Sequence, residues 1–339
     1  MLLAIEDLVV AYRLRTRPVR AVDGLTLSIE AGQRVGLVGE SGCGKTTVAR
    51  ALLGILPTNG SIERGRILLD GRDLTRLSAA EMRAVRWRRI AMVPQSAMNA
   101  LNPVLRVGDQ LVETIRIHEP VGPARARSRA AELFERVGLE PRRLQDYPHQ
   151  FSGGMRQRAT IAMAVALRPQ LLIADEPTTA LDVLVQDRIL TLLEQLCADL
   201  GLALLYITHD VPVVAELCDA VGVMYAGKLA EFGPLAEVFS APAHPYTMGL
   251  LQASPKRITD RFELTSIPGA PPNLAAPPHG CRFAARCPFA DDRCHALEPE
   301  LISLNAQHAA ACHYAGVAPK MRDAVASGEA WAQLQATMP

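Results

Sequence analysis

The first 85 or so residues alternate short apolar runs with polar turns. Ile67-Leu68-Leu69 closes on Asp70-Gly71, and Val35 to Val38 is a second such run. Runs of this length, bounded by turn residues, predict β-strands. From about residue 86 to 160 the period lengthens. Val107 to Ile117 and Ala124 to Val137 carry apolar residues three and four apart, which predicts amphipathic helices, with Gly138 closing the second. Between 171 and 232 strand and helix alternate: Leu171 to Asp175, Val183 to Leu200, Leu202 to Thr208, then Val221 to Tyr225. That alternation predicts an α/β fold on a mainly parallel sheet, without internal repeats. After about residue 235 the pattern breaks. Pro268-Gly269-Ala270-Pro271-Pro272 and Pro277-Pro278 exclude regular helix and central strand, so an appended module is expected there.

Composition sets limits on function. The 339 residues are 49% hydrophobic and 21% charged, enough for a large core and two or three domains. Lys and Arg total 36 against 35 Asp and Glu, a net charge of +1, which gives no case for nucleic-acid binding over the whole surface. Arg83, Arg86, Arg88 and Arg89, like Arg125, Arg127 and Arg129, read as solvated helix faces. No apolar run reaches the ~18 residues of a membrane span. Met1-Leu2-Leu3-Ala4-Ile5-Glu6-Asp7 lacks the basic start of a signal peptide, so a cytoplasmic chain is expected, attached to any membrane through protein partners.

The chemistry begins at Gly39-Glu40-Ser41-Gly42-Cys43-Gly44-Lys45-Thr46, which fits G-x-x-x-x-G-K-[ST] directly after an apolar run and before a helix expected from Lys45 to about Leu56. Glycines there admit unusual backbone angles and bring main-chain N–H groups against phosphate oxygens, and the helix adds its positive end. Lys45 would reach the β- and γ-phosphates of ATP, and the Thr46 hydroxyl would bind Mg²⁺. Further on, the strand Leu171 to Ala174 ends in Asp175-Glu176. Ligands of open α/β sheets sit at the carboxyl ends of strands, so Asp175 is placed to hold Mg²⁺ and Glu176 to polarise the attacking water. Ser152 and Gly154 open a helix just upstream, and a helix start with a serine and bare glycines is an anion site.

These motifs, with Ala180-Leu181-Asp182 after the acidic strand and Ile207-Thr208-His209-Asp210 at the end of the next, resemble an ABC-type ATPase: a P-loop nucleotide-binding domain with a mainly parallel core, an antiparallel β part and a helical subdomain. The resemblance implies that Gly39, Ser41, Gly42, Cys43, Gly44, Lys45, Thr46 and Thr47 enclose the phosphates. It makes Gln95, in Val93-Pro94-Gln95, the glutamine that links Mg²⁺ and water to a membrane partner. His209 becomes the switch histidine at the γ-phosphate. Tyr12 would stack on adenine, although a lone tyrosine after Val9-Val10 also reads as core. Ser152, Gly153, Gly154 and Asp182 would face the ATP of a second subunit, so one chain alone would be a poor ATPase. The ATPase domain is expected over 1–235, with its helical subdomain at about 86–160.

The module at 236–339 carries four of the seven cysteines, Cys281, Cys287, Cys294 and Cys312, spaced C-x5-C-x6-C-x17-C. Reduced thiols in a cluster suggest metal before disulfide. Spacing alone leaves structural zinc, an iron–sulfur cluster and no metal all open. The run Ile267 to Pro272, then Pro278-His279-Gly280-Cys281 to Cys312-His313, resembles the extension of peptide-importer ATPases, which implies a [4Fe–4S] cluster, with Zn²⁺ the alternative. His279, His295, His308 and His313 are spare donors nearby and read as ordinary surface residues. With Phe151 to Arg158, Ala174 to Asp182 and His244-Pro245-Tyr246-Thr247, nearly the whole chain is similar to the D-type ATP-binding subunit of dipeptide and oligopeptide importers; nickel and glutathione importers share much of the layout. The implied partners are an F-type ATPase subunit in a heterodimer, two transmembrane permeases and, indirectly, an extracytoplasmic binding protein that selects cargo, all at the cytoplasmic face. A soluble ABC ATPase in DNA repair or translation would carry two nucleotide domains or a long coiled coil, which this chain lacks.

Two positions depart from the general pattern. Met155 stands where glutamine is usual after Ser-Gly-Gly, in keeping with a non-identical partner. Cys43 stands where serine is commoner, so a thiol reagent is expected to block ATP binding. Cys197 and Cys218 read as small core residues in helix-like stretches.

Overall fold

The computed structural model describes residues 1–14, 17–95, 100–179, 181–253 and 267–337, which leaves Ala180 of the predicted Ala180-Leu181-Asp182 motif outside the described residues. The chain divides into two compact units. One comprises Met1–Ile29, Val35–Thr75 and the chain from Thr208 onward; the other comprises Glu30–Arg34 and Arg76–Ile207.

The first unit holds an antiparallel sheet in which Leu3–Arg13 lies between Pro18–Ile29 and Gly60–Leu69, with Arg72–Asp73 on the outer edge. Leu3 faces both Ile29 and Leu69, and all three are buried. Val35–Val38 pairs in parallel with Ala220–Tyr225, and the latter returns antiparallel as Lys228–Pro234. Every residue of Ala220–Tyr225 is buried, as expected where a parallel strand is covered on both faces. Downstream, Ala309–Ala310 pairs with Glu231 and Phe232, and Ile302–Ser303 pairs with Ala309–Ala310, so the C-terminal segment continues this sheet.

The helix after the phosphate loop runs Lys45–Leu52, shorter than predicted. Gly54 at φ 59° explains the stop: its N–H bonds Ala51 and the N–H of Ile55 bonds Arg50, a left-handed glycine closure.

The second unit holds three parallel strands, Ile90–Val93, Leu171–Asp175 and Ala203–Thr208 up to its Ile207, with Leu171 opposite both Ile90 and Ala203. Ile90–Val93 corrects the helical reading of 86–160. Four apolar residues are too few to show a period, and only their pairing with Leu171–Ala174 makes them a strand. The predicted helices are present at Val107–His118, Pro123–Arg136 and Val183–Leu200, and a further one runs Gly153–Val165. Gly138, at φ 69°, closes the second as expected. Phe134 and Phe151 meet edge to face at 6.4 Å beneath these helices. Among the described residues no helix is long and apolar enough to cross a membrane.

Candidate functional site

In the first unit the phosphate loop leaves Val38 and enters its helix at Gly44. The left-handed backbone of Gly44 (φ 108°) is required twice over, because a Cβ there would lie 2.2 Å from the Ala21 carbonyl oxygen. Lys45 is buried and folds back over the loop, its ammonium donating to the carbonyls of Gly39 (2.6 Å) and Glu40 (3.1 Å). Those two carbonyls are weak partners for a full charge, so phosphate oxygens would compete for the ammonium on favourable terms. Ser41 and Gly42 are exposed, and Thr47 is buried with its hydroxyl 3.1 Å from that of Tyr12. Tyr12 is thereby tied to the helix that carries Lys45 and Thr46. His209 is exposed and follows the strand Ala203–Thr208.

Cys43 is buried, 3.7 Å from the Lys45 ammonium. Burial raises its thiol pKa, although Lys45 pulls the other way. The expected attack by thiol reagents is corrected accordingly: a buried, protonated thiol is neither reachable nor nucleophilic.

The second unit gathers the acidic pair. Asp175 is the buried last residue of its strand, and Glu176 follows with a left-handed backbone at φ 45°. A non-glycine residue held there stores strain of about 1 kcal/mol, a cost that collects at functional positions. Gln95 Nε2 donates to Glu176 Oε2 at 2.8 Å, and the Thr179 hydroxyl donates to the same oxygen at 3.1 Å. Residues 95 and 176, read separately from the sequence, are thus brought into direct hydrogen-bond contact, an amide held against a carboxylate.

Ser152 caps the helix Gly153–Val165, its hydroxyl accepting from the Met155 N–H at 3.3 Å. Gly154 is buried against the next element, where a Cβ would stand 2.6 Å from Cγ1 of Val185. Asp182 caps the helix Val183–Leu200 through the Val185 N–H at 2.9 Å, a structural duty beside the nucleotide contact expected of it.

The four cysteines of the C-terminal segment line one small, mostly apolar cavity with His244, Phe283 and Met321. Burial pushes the Cys281 thiol up to about 11, with Cys294 and Cys312 adding to the effect, and it raises Cys287, Cys294 and Cys312 as well. Cys294 is buried and the other three are partly buried, and thiols with raised pKa hold protons unless a cation compensates their charge; by type, four sulfurs are donors that a soft metal takes. No group of three or more His, Cys, Asp or Glu side chains among the described residues converges as ligands of a single ion.

His308 is not the surface residue its composition suggested. It is buried, with Nε2 2.7 Å from Oε1 of the fully buried Glu231, whose carboxylate also accepts from the N–H groups of Ala243 and His244. His244 itself is pushed down to about 4 by burial and is neutral. Cys218 is buried just past the helix Val211–Leu217 in extended backbone, not inside a helix.

Sequence reasoning also missed Arg286 and Glu40. Arg286 donates through both terminal nitrogens to the Glu40 carboxylate, at 2.9 and 3.0 Å. Glu40 occupies a variable position of its motif, and 246 residues separate the pair, so no local signal joins them.

Comparison with known proteins bears on both regions. The ABC transporter family profile matches residues 22–179, and that of the oligopeptide/dipeptide transporter C-terminal region matches 230–294. A putative peptide import ATP-binding protein of Brucella abortus is 45% identical over 326 residues, covering 92% of this chain and 96% of its own. The oligopeptide transport ATP-binding protein OppD of Salmonella typhimurium is 45% identical, covering 88% and 90%. The dipeptide transport ATP-binding protein DppD of Bacillus subtilis is 44% identical, covering 91% and 93%. Among solved structures, the dimeric post-hydrolysis state of the ATP-binding cassette MJ0796, bound to ADP and Pi, matches with TM-score 0.63 and 26% identity over 69% of this chain and 98% of that one.

Proposed function

The chain belongs to the ABC transporter ATPases, in the branch with the oligopeptide/dipeptide transporter C-terminal region, and from that premise we propose that it powers the import of di- or oligopeptides across the cytoplasmic membrane. The hydrolytic half of the reading is supported by Gln95 and Thr179, which both donate to Oε2 of Glu176 and so fix the carboxylate that would orient water. Phosphoryl transfer asks a protein for position and charge more than for covalent chemistry. Lys45, and His209 by family resemblance, supply positive and hydrogen-bonding contacts to the γ-phosphate, while Glu176 takes the proton of the attacking water. By family resemblance Thr46, Asp175 and Gln95 would each offer an oxygen donor of the kind that Mg²⁺ takes, and the ion would neutralise phosphate charge.

The peptide cargo is supported by the named peptide-import relatives, matched along nearly their whole length. The proposed complex contains a second, F-type ATPase, two permeases at the cytoplasmic face and an extracytoplasmic binding protein that delivers cargo. Support for a shared ATPase interface comes from Val183 and Leu184, 82% and 73% exposed directly after Asp182. An apolar pair left in water at that place favours a partner surface.

Glu176→Gln tests the mechanism. It is expected to keep ATP binding and to cut turnover of the assembled complex by about 10²-fold or more. Unchanged ATPase activity would remove Glu176 from the role. Uptake of labelled di- and oligopeptides, compared with nickel and glutathione in the reconstituted complex, tests the cargo.

The four-cysteine cavity is proposed to take a [4Fe–4S] cluster, with Cys281, Cys287, Cys294 and Cys312 as ligands. Iron and sulfide determined on anaerobically purified protein test this. Stoichiometric zinc without iron would overturn it.

A further inference from the structure

Glu40 is the second residue of the phosphate loop and is fixed at three points. Its N–H donates to the Tyr246 hydroxyl at 2.9 Å, and its carbonyl accepts from Lys45 at 3.1 Å and from the Cys43 N–H at 3.2 Å. Its carboxylate receives the fork of Arg286. Arg286 is only 5% exposed and would stay in place without Glu40. Its Nε donates to the Pro268 carbonyl at 2.9 Å, its Nη1 also reaches the Tyr225 hydroxyl at 3.2 Å, and its guanidinium lies 5.7 Å from the Tyr225 ring centre. A planar fork held in advance pins a carboxylate in one orientation, which a lysine cannot do.

Arg282, one turn earlier, braces the same loop from behind. It donates to the Ala226 carbonyl and the Asp23 carboxylate. Gly227, next to Ala226, donates its N–H to the Cys43 carbonyl at 2.9 Å, and the Asp23 N–H donates to Gly227. Both arginines lie in the C-terminal segment beside cysteines of the cavity, Arg282 after Cys281 and Arg286 before Cys287. The segment therefore reaches the phosphate loop from two directions.

We propose that Arg286 is a positioning residue for ATP, which fixes the loop backbone through Glu40 and cancels a carboxylate that would otherwise repel the triphosphate. The proposal rests on residues 39–46 being the phosphate loop. Two effects follow from losing Arg286. Glu40, whose carbonyl holds Lys45, loses its side-chain anchor and keeps only its backbone ones, and a partly buried negative charge is left one residue from the first loop glycine. Like charges at short range in a partly buried site repel far more than in water.

The charge argument makes a reversal that a merely structural role would not produce. Titration of a fluorescent ATP analogue into full-length chain, with circular dichroism confirming the fold, should show Arg286→Met weakening binding about tenfold or more. Adding Glu40→Gln to Arg286→Met should recover part of that loss, because the unpaired charge is gone. Arg286→Lys, which keeps charge without the fork, should bind with intermediate affinity, and it carries the test if the Met variant fails to fold. Native affinity in either Arg286 variant would overturn the proposal, as would a double variant no better than Arg286→Met. Lys45→Ala separates this from its premise: if that variant binds ATP normally, the phosphate-loop reading itself fails, whereas lost binding there with native binding in Arg286→Met refutes the positioning role alone.

Discussion

Cys43 illustrates how one side chain's surroundings override its type. The loop needs only the backbone N–H of that position, and the thiol is turned inward, buried and kept protonated. Because burial raises its pKa above the ordinary thiol range, little thiolate exists at neutral pH, and the reactive fraction grows only in alkaline solution. Alkylation followed by peptide mapping should find Cys43 unmodified at pH 7 and 8 in the folded chain, and modified once the chain is unfolded. Equal rates in both states would show that the thiol is open. Glu176 is the opposite case. Its acidic side chain was readable from the strand end, and its strained backbone and two donors were not.

At the scale of elements, the helix Gly153–Val165 has its start written in local sequence, since a serine cap acts on the N–H three residues on. Ser152→Ala should cost about 1 kcal/mol locally. Hydrogen exchange at the Met155 amide would report it as faster opening of the first turn. Gly154 obeys a different constraint, the approach of Val185. Gly154→Ala should destabilise by roughly 1–3 kcal/mol through overpacking, and Val185→Ala in the same chain should restore most of it, as read from thermal melts. Additive losses would mean the contact is not the cause. The strand Ile90–Val93 shows why elements resist local reading: four residues carry no usable period, and their partner strand lies about eighty residues on.

At the scale of the whole molecule, the C-terminal segment is joined to the nucleotide-binding part by ion pairs that also order its edge. Glu231 is fully buried and satisfied by His308 and two backbone N–H groups. His308→Leu would leave that carboxylate short of a partner, at a cost of about 3–5 kcal/mol. Limited proteolysis should then cut the segment near Ala309 under conditions that spare the native chain. An unchanged digestion pattern would show that the pair is dispensable. The chain alone is expected to hydrolyse ATP slowly and to accelerate on adding its partner ATPase. Rates of the purified subunit and of the complex decide this.

The sequence by itself determined the phosphate loop, the acidic strand end, the capped Ser-Gly-Gly helix and the peptide-importer resemblance of the extension. Each depends on residues a few positions apart, where backbone geometry alone sets the spacing. Tertiary structure decided that Gln95 aims Glu176, that four cysteines share a cavity, that His308 is buried on Glu231 and that Arg286 grips Glu40. Those pairings join segments tens to hundreds of residues apart. Which charged side chains meet there depends on which strands and loops are packed side by side, and no local periodicity records that choice.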